Sequence, residues 1–314
     1  MASNGKHYDR SAEDLGNIVG LEHVNLQVEN QVLTTLFYLT GLGLTRDPYL
    51  MTSIDNMWVN VGHSQFHLIT GTPQHLRGRI GLVLPDRAAL LKRLDKVKKP
   101  LEGTRFAFVE HADHVETTCP WGNTLLCHEP SPRFGDMLLG MGYVEFDVPS
   151  GTAKGIADFY REVFSASAIL EEGLARISAG PGQELVFRET EAPLPEYDGH
   201  HIQVYVANFS GPHRQLLERR LISEESNQHQ YRFEIISDPA SGKPLFQIEH
   251  EVRSMRHPLY ARPLVNRNPE QTNRNYIAGR DAWVPDAIMA EMDDPRSAAR
   301  ERRFENVMRR SAAE

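Results

Sequence analysis

The stretch LEHVNLQV at residues 21–28 returns as MGYVEFDV at residues 141–148, with the same alternation of apolar and polar side chains. The helical pattern that follows each copy carries a Phe-Tyr pair, at 37–38 and at 159–160. Alternation with a period of two is typical of a strand, and apolar residues spaced three and four apart are typical of a helix. The two copies therefore predict the same strand-helix unit, used twice.

Two further segments recur at nearly the same spacing. RIGLVL at 79–84 pairs with HIQVYV at 201–206, and a Gly turn before a closing strand occurs at 121–129 and again at 241–252. The offsets are all between 120 and 122 residues. Because four segments recur in the same order at one spacing, the sequence indicates a tandem duplication.

Each half also divides into two, because the order strand, helix, short strands occurs twice within it. We therefore predict an α+β fold of two tandem domains. Each domain consists of paired βαβββ modules that form a half-open mixed β-barrel with the helices outside. The predicted boundaries are an N-terminal arm at 1–17, a first domain at 18–130, a linker at 131–140, a second domain at 141–262, and a C-terminal strap with a charged helix at 263–314.

The composition excludes several classes of protein. Lys plus Arg is 34 against 42 Asp plus Glu, and the net charge of -8 argues against a general binder of nucleic acid or of anionic membranes. The sequence contains no apolar run long enough to cross a bilayer and no apolar leader near its start. Only two cysteines occur, without CxxC spacing. We expect a cytoplasmic protein that acts on a small-molecule substrate. The protein forms a homo-oligomer or acts alone.

Strand alternation predicts which side chains line a cavity in the second half. The apolar positions of its strands pack against the helices, so the intervening polar side chains point into the cup. These side chains are Tyr143, Glu145, His201, Gln203, Tyr205, Gln247, Glu249 and Glu251. Inward polar groups are costly unless they bind something. We therefore predict a site here, with Gln203, Gln247 and Glu145 as substrate-binding residues.

Three motifs resemble one known superfamily. His-Val-x-Leu-x-Val at 23–28, the Gly-Leu-Gly-Leu end of the first helix at 41–44 and the Pro-Trp-Gly-Asn turn at 120–123 are similar to the vicinal-oxygen-chelate proteins. This superfamily includes glyoxalases, bleomycin-resistance proteins and extradiol dioxygenases. The resemblance covers about residues 20–255. It implies the fold, whereas isomerases, dioxygenases, thiol transferases and simple binding proteins all use this scaffold.

The resemblance implies metal ligands at Tyr143, His201 and Glu249. A histidine is expected where Tyr143 stands, and neutral tyrosine is a poor ligand for Fe(II), Zn(II) or Mn(II). Glu184, on a neighbouring predicted strand, is the alternative source of a carboxylate ligand. A metal-free pocket, in which Tyr143, His201 and Glu249 hydrogen-bond to one another, remains the other interpretation.

The first half offers a second candidate site at His23, His67 and Arg79. By the same resemblance, His23 occupies the first ligand position, and His67 occupies the position where isomerases of the family carry a Glu. Arg79 would repel a cation but suits a carboxylate or phosphate on a ligand. A degenerate cup filled by polar residues is the alternative.

We therefore predict a metal-dependent oxidoreductase that resembles the extradiol dioxygenases and acts on a small oxygen-bearing, catechol-like substrate. The expected cofactor is a divalent metal, Fe(II) first and then Mn or Zn, or none. Tyr143 and Tyr205 are the predicted catalytic residues, as proton donors or as groups that orient the substrate. The alternatives are a glyoxalase-like isomerase or lyase, and a metal-free protein that sequesters a small molecule.

Overall fold

The structure of the protein is a computed structural model that describes residues 10–48 and 55–262. The predicted strap and charged helix at 263–314 lie outside the described residues, as does part of the N-terminal arm. The described chain begins with a short 3-10 turn, Arg10–Glu13, and a second one, Pro132–Phe134, lies in the predicted linker. No helix among the described residues is long and apolar enough to span a membrane.

The first half of the chain contains two modules of the predicted order. Module 1 consists of β1 (Ile18–Val28), α1 (Gln31–Thr34) with a π-helical continuation (Thr35–Gly41), β2 (Thr45–Arg46), β3 (Asn56–Val61) and β4 (Ser64–Thr70). Module 2 consists of β5 (Gly78–Val83), α2 (Arg87–Val97), β6 (Ala107–Glu110), β7 (His114–Thr118) and β8 (Thr124–His128). The side chains of Asn30 and Asp86 accept backbone hydrogen bonds at the first turns of α1 and α2, which fixes where these helices begin.

The second half repeats this order. Module 3 consists of β9 (Gly140–Pro149), α3 (Ala153–Phe164), β10 (Ala168–Glu171), β11 (Leu174–Gly180) and β12 (Gln183–Thr190). Module 4 consists of β13 (His201–Val206), α4 (Ser210–Glu218), β14 (Ile222–Asn227), β15 (Gln230–Ser237) and β16 (Pro244–Ser254). The apolar side of α3, which includes Ile156, Phe159 and Val163, is buried, as its spacing of three and four residues predicts.

The strands form two mixed sheets of eight strands each, which confirms the predicted fold class. Their orders are β14-β15-β16-β13-β1-β4-β3-β2 and β10-β11-β12-β9-β5-β8-β7-β6. The first sheet thus joins module 1 to module 4, and the second sheet joins module 2 to module 3. In each sheet the two modules meet through one antiparallel pair, β1 with β13 and β5 with β9. Each sheet therefore takes one module from each half of the sequence.

This pairing decides which side chains meet. The predicted domains, 18–130 and 141–262, follow the sequence repeat, whereas the sheets combine strands of both halves. At the centre of the first sheet, β13 lies between β1 and β16, so that His23 is in register with Gln203, and His201 with Glu249. Residues from the two ends of the described chain therefore share one face.

Candidate metal centre

His23, His201 and Glu251 lie on the three adjacent central strands of the first sheet. One ligand atom from each of them lies within 4.8 Å of the others. All three side chains are buried, with the rings of His23 and His201 5.7 Å apart between centroids. Two imidazoles and one carboxylate form the donor set of many iron(II), manganese and zinc sites. We call these residues, with Glu249 and Gln203, the histidine site.

Each of the two histidines faces a carboxylate with its Nδ1 atom. The Nδ1 of His23 lies 3.0 Å from Oε2 of Glu22, and the Nδ1 of His201 lies 3.3 Å from Oε1 of Glu249. A carboxylate in this position holds the proton on Nδ1 and leaves Nε2 as the electron-pair donor. Both imidazoles are therefore oriented as metal-binding histidines are.

The Nε2 atoms of His23 and His201 are buried, and neither has a hydrogen-bond partner among the described residues. The Nε2 of His201 lies 3.8 Å from Oε2 of Glu251. A buried polar atom without a partner is costly, and each such atom in a folded protein calls for an explanation. Two such nitrogens beside a carboxylate fit a divalent cation.

Glu22 is held as a carboxylate by its surroundings. Burial alone raises the pKa of Glu22, but the guanidinium of Arg253 and the hydrogen bond from His23 outweigh it and lower this pKa to about 2. Arg253 donates to Oε2 of Glu22 at 3.0 Å, and the Tyr205 hydroxyl donates to Oε1 at 3.2 Å. Glu22 is thus ionised at neutral pH and can orient His23.

Burial keeps His201, and His67 beside it, in the neutral form. Burial, reinforced by the charge of neighbouring His23, lowers the pKa of His201 far below its usual range. The same two effects lower the pKa of His67 to about 2. A metal ligand must be a neutral imidazole, so that low pKa values remove the competition between protons and a cation.

Two arginines enter the histidine site. Arg232, on β15, donates to Oε1 of Glu249 and to Oε2 of Glu251. Arg253 lies 2.5 Å from the other oxygen of Glu251 and donates to Gln230 at 2.9 Å. Burial raises the pKa of Glu249, although Arg232 opposes this effect. Both glutamates of the closing strand are therefore paired with guanidinium groups.

Gln203 lies two residues after His201 on β13 and is fully buried. Neither its side-chain oxygen nor its side-chain nitrogen has a hydrogen-bond partner among the described residues. The amide can both donate and accept hydrogen bonds. The role of Gln203 in binding a substrate stays a prediction. Gln247, by contrast, donates to Glu234 at 3.0 Å.

The fold agrees with that of several solved structures. A putative dioxygenase from Bacillus subtilis subsp. subtilis str. 168 is 17% identical, with a TM-score of 0.51 over 77% of this chain and 86% of that chain. Glyoxalase I from Zea mays is 12% identical, with a TM-score of 0.52 over 75% of this chain and 92% of that chain. The chain has the vicinal-oxygen-chelate fold. Neither a protein-family model nor a curated protein matches the sequence.

The expected ligand set is divided between the two sheets, and we call the face of each sheet that carries these polar side chains its cup. Tyr143 lies on β9 of the second sheet, away from His201 and Glu249, so the predicted trio is wrong. In the first sheet, the strand position that corresponds to Tyr143 is occupied by His23. The strand that supplies the partner of His201 comes from module 1 because β13 pairs with β1 rather than with β9.

The other residues predicted beside Tyr143 also belong to the second sheet. Glu184 pairs with Arg176 at 3.1 Å, and Glu145 pairs with Arg188 at 2.9 Å and with Arg79 at 3.2 Å. The structure therefore does not bring Glu184, the predicted metal ligand, or Glu145, the predicted substrate-binding residue, to the sheet that carries His201. Arg79, which was expected beside His23 and His67, lies in this second cup as well.

In the second cup the ring of Tyr143 packs against β5. A Cβ atom built on Gly81 would lie 2.1 Å from this ring, which shows how closely the ring packs on β5. The Tyr143 hydroxyl lies 3.0 Å from Nε2 of His128, and burial raises the pKa of Tyr143. The degenerate cup that the sequence suggested as an alternative was the one with His23, His67 and Arg79, whereas Tyr143 was expected to line the active site.

His67 belongs to the histidine site but is not available as a ligand. Its Nδ1 lies 2.6 Å from the amide nitrogen of Asn25 and its Nε2 lies 2.9 Å from the amide oxygen of Asn56. Its ring is stacked on Trp58, with the centroids 3.8 Å apart. Both ring nitrogens of His67 are thus engaged, so it forms a wall of the site.

Tyr205, the second predicted catalytic residue, lies behind the histidine site. Its hydroxyl donates to Glu22, and burial raises the pKa of Tyr205. The ring of Tyr260, in the segment after β16, packs edge-on against it at 4.8 Å between centroids. Arg262 ends this segment in two hydrogen bonds to buried Asp47, at 3.1 and 2.8 Å. This segment ties module 4 to module 1.

A second group of ligand-type side chains lies on the hairpin of β6 and β7. His111, His114 and Glu116 also bring one ligand atom each within 4.8 Å of the others. The two imidazoles are stacked face to face, 4.6 Å apart and 20° from parallel, and the Nδ1 of His114 lies 2.9 Å from Asp113. His111 and Glu116 are each more than two-fifths exposed, so this group forms a polar hairpin at the surface.

Sequence reasoning missed Glu22, Glu251 as a ligand, and Arg232. Alternation along Gln-Ile-Glu-His-Glu did place Glu249 and Glu251 on one face, and Arg232 bonds both of them. The choice between these two glutamates depends on which nitrogen of His201 each one approaches. The pair Glu22-His23 was detectable as a carboxylate next to a histidine, although a regular strand would place them on opposite faces.

Proposed function

We propose that the chain is a metal-dependent enzyme that acts on a small substrate bearing two neighbouring oxygen atoms, with iron(II)-dependent dioxygenase chemistry as the first candidate. His23, His201 and Glu251 would hold the metal, and manganese or zinc are the next candidates for it. The supporting observations are the two buried Nε2 atoms without partners among the described residues and the approach of one ligand atom each from His23, His201 and Glu251 to within 4.8 Å. Two histidines and one carboxylate are the ligand set of many non-haem iron(II) oxygenases.

A divalent ion bound there supplies Lewis acidity toward two substrate oxygens, and iron(II) also supplies redox chemistry toward dioxygen. The protein contributes orientation and hydrogen bonds. Glu22 and Glu249 hold the protons of the two imidazoles on Nδ1, and the amide of Gln203 offers hydrogen bonds to a substrate oxygen. His67, Trp58 and the buried strands exclude water from one side of the site.

Glu249 is the side chain best placed to accept a proton from a bound substrate. It is one-fifth exposed at the edge of the histidine site, and burial raises its pKa. A carboxylate with a raised pKa is a better general base than an ordinary one. This role replaces the predicted role of Glu249 as a ligand, because its Oε1 faces the protonated nitrogen of His201 rather than Nε2.

The second candidate is a metal-free protein that binds a small molecule. It is supported by Arg232, which already bonds both Glu249 and Glu251 and so satisfies these carboxylates without a cation. Under this proposal the ligand itself would satisfy the site. It would exchange hydrogen bonds with the amide of Gln203 and with the two imidazole Nε2 atoms. The two candidates differ in metal content.

Elemental analysis distinguishes them. The protein is purified without added metal or a His tag, reconstituted anaerobically with iron(II), manganese or zinc, and compared with His201→Ala and Glu251→Gln. His128→Ala, which removes a histidine of the second sheet, is the matched control. The enzyme proposal predicts about one equivalent of metal in the unmodified protein and in His128→Ala, and its loss in the other two variants. No metal in any of the four proteins would overturn it and favour the binding protein.

A further inference from the structure

Three carboxylates and two guanidiniums form the charged cluster of the histidine site: Glu22, Glu249, Glu251, Arg232 and Arg253. With all of them ionised, and with the solvent-exposed carboxylate of Glu224 beside Arg232 left out of the count, the cluster carries one excess negative charge. A divalent cation held by neutral imidazoles would convert this to one excess positive charge. Excess charge in a buried site is costly, so a site in this state favours a ligand with a single negative charge.

The two arginines differ in their surroundings. Arg253 is buried, and its guanidinium contacts three side chains, those of Glu22, Glu251 and Gln230. Arg232 is more exposed, with one-fifth of its side chain accessible. Its Nε has no hydrogen-bond partner and lies 3.6 Å from Glu224, too far for a hydrogen bond. Arg253 is thus a structural residue, whereas Arg232 has a buried Nε donor without a hydrogen-bond partner among the described residues.

Arg232 also competes with a cation for one atom. Its Nη2 donates to Oε2 of Glu251, the oxygen that faces Nε2 of His201. A cation held by His201 and Glu251 would draw on the same oxygen and weaken its bond to Arg232. The guanidinium would then offer a planar pair of donors, the arrangement that matches a carboxylate.

We infer that Arg232 recognises a carboxylate on the substrate, so that the substrate is a carboxylic acid that also bears the two metal-binding oxygens. This inference rests on the proposed function, because the cation is what frees Arg232. A phosphate ester carries close to two charges at neutral pH and fits the single excess positive charge less well. The neutral ester of the same compound lacks the group that Arg232 binds.

The test uses zinc, which has no redox chemistry and keeps the probes intact. Zinc affinity is measured first by competition with a chelator. Binding of 3,4-dihydroxybenzoate and of its methyl ester to the zinc-loaded protein is then measured by titration calorimetry without oxygen. The two probes share the ring and both neighbouring oxygens and differ in the charge. The variants are Arg232→Gln and Arg232→Lys, with Arg188→Gln as control, since Arg188 pairs with Glu145 in the second sheet.

The unmodified protein and Arg188→Gln should bind the acid at least about tenfold more tightly than the ester, as the loss of a charge-assisted hydrogen-bond pair predicts. In Arg232→Gln this ratio should fall to about one, while zinc affinity is equal or higher because a competing cation is gone. Arg232→Lys should keep part of the preference. A purely structural role of Arg232 would lower zinc affinity and weaken binding of both probes alike, leaving their ratio unchanged.

The inference is overturned if the zinc-loaded protein binds the two probes equally or binds neither, or if Arg232→Gln keeps the preference for the acid. Failure of the proposed function has a different result: the unmodified protein then fails to bind zinc, iron or manganese before any probe is added. In that case there is no cation to free Arg232, and the inference falls with the proposal.

Discussion

The Nδ1 atom of His23 lies 3.0 Å from Oε2 of Glu22, the residue that precedes it in the chain. Neighbouring side chains of a regular strand point to opposite faces. Here the register between β1 and β13 shifts between Leu21 and His23, as in a β-bulge, and the irregularity lets both side chains enter the same buried cluster. Glu22 thereby fixes the protonated nitrogen of His23, and the buried Nε2 of His23 is left without a partner among the described residues.

Replacement of Glu22 by Gln should weaken metal binding. A carboxylate that accepts from a ligating histidine raises the basicity of the imidazole, and loss of such a partner typically costs about 10–100-fold in metal affinity. We expect a loss of this size in the zinc affinity of Glu22→Gln, measured by chelator competition at pH 7.

The control for this variant is Glu145→Gln. Glu145 is as buried as Glu22 and is also paired with arginine, but it lies in the second sheet. The Glu145→Gln variant should have a lower free energy of unfolding, while its zinc affinity stays within about threefold of that of the unmodified protein. An equal loss of affinity in both variants would mean that Glu22 acts through general stability rather than through His23.

Replacement of His67 by Gln should make stability less dependent on pH. Burial, together with the charge of His23, lowers the pKa of His67 from 6.5 to about 2, so between these values the unfolded chain binds a proton that the folded chain does not. Stability therefore rises with pH in this window and is lost as pH falls below 6.5. Between pH 7 and pH 5 the unmodified protein should lose about 2 kcal/mol more of its free energy of unfolding than His67→Gln does.

Denaturant unfolding at the two pH values measures this difference. The same variant also tests the assignment of His67 to the wall of the site. His67→Gln should retain its metal, whereas His201→Gln should lose it. Equal pH dependence in His67→Gln and the unmodified protein would show that His67 does not carry the proton linkage.

The sequence predicted the modules and the faces of their strands, but not which modules meet. Alternation correctly turned His201, Gln203 and Tyr205 to one side of β13, because inward and outward positions depend only on the chain's own period. The pairing of β13 with β1 depends on contacts between residues about 180 positions apart. Since all four modules have the same pattern, no local feature distinguishes this pairing from one within each half.

The correct ligand set follows from this difference. Pairing within the second half would place Tyr143 beside His201, and the predicted site would then contain one histidine instead of two. Pairing across the halves supplies the second histidine, His23. The tyrosine belongs to the other cup, where a glycine on β5 makes room for its ring.

Gly81 should not tolerate an alanine. The added Cβ would lie 2.1 Å from the Tyr143 ring, so that the ring or the strand must move. We expect Gly81→Ala to lower the free energy of unfolding by about 1–3 kcal/mol, as overpacking of a core usually does. Metal content should not change, because the histidine site lies in the first sheet.

Gly20→Ala is the matched substitution in β1. The nearest heavy atom to its added Cβ is a ring carbon of Tyr205 at 4.0 Å, an ordinary van der Waals distance. Gly20→Ala should therefore be far less destabilising in the same denaturant titration. Loss of metal from Gly81→Ala without unfolding would contradict the separation of the two cups.

The Arg262–Asp47 contact should hold the end of module 4 against module 1. Asp47 is completely buried, and it accepts two hydrogen bonds from Arg262 and one, at 2.7 Å, from Gln65. Removal of the guanidinium in Arg262→Met leaves a buried carboxylate without its main counter-charge, which costs about 3–5 kcal/mol in comparable buried pairs. The double variant Asp47→Asn, Arg262→Met removes both charges and should recover at least half of this loss. Denaturant unfolding of the two single variants and the double variant gives the coupling energy, and additive effects would show that the two side chains do not act as a pair.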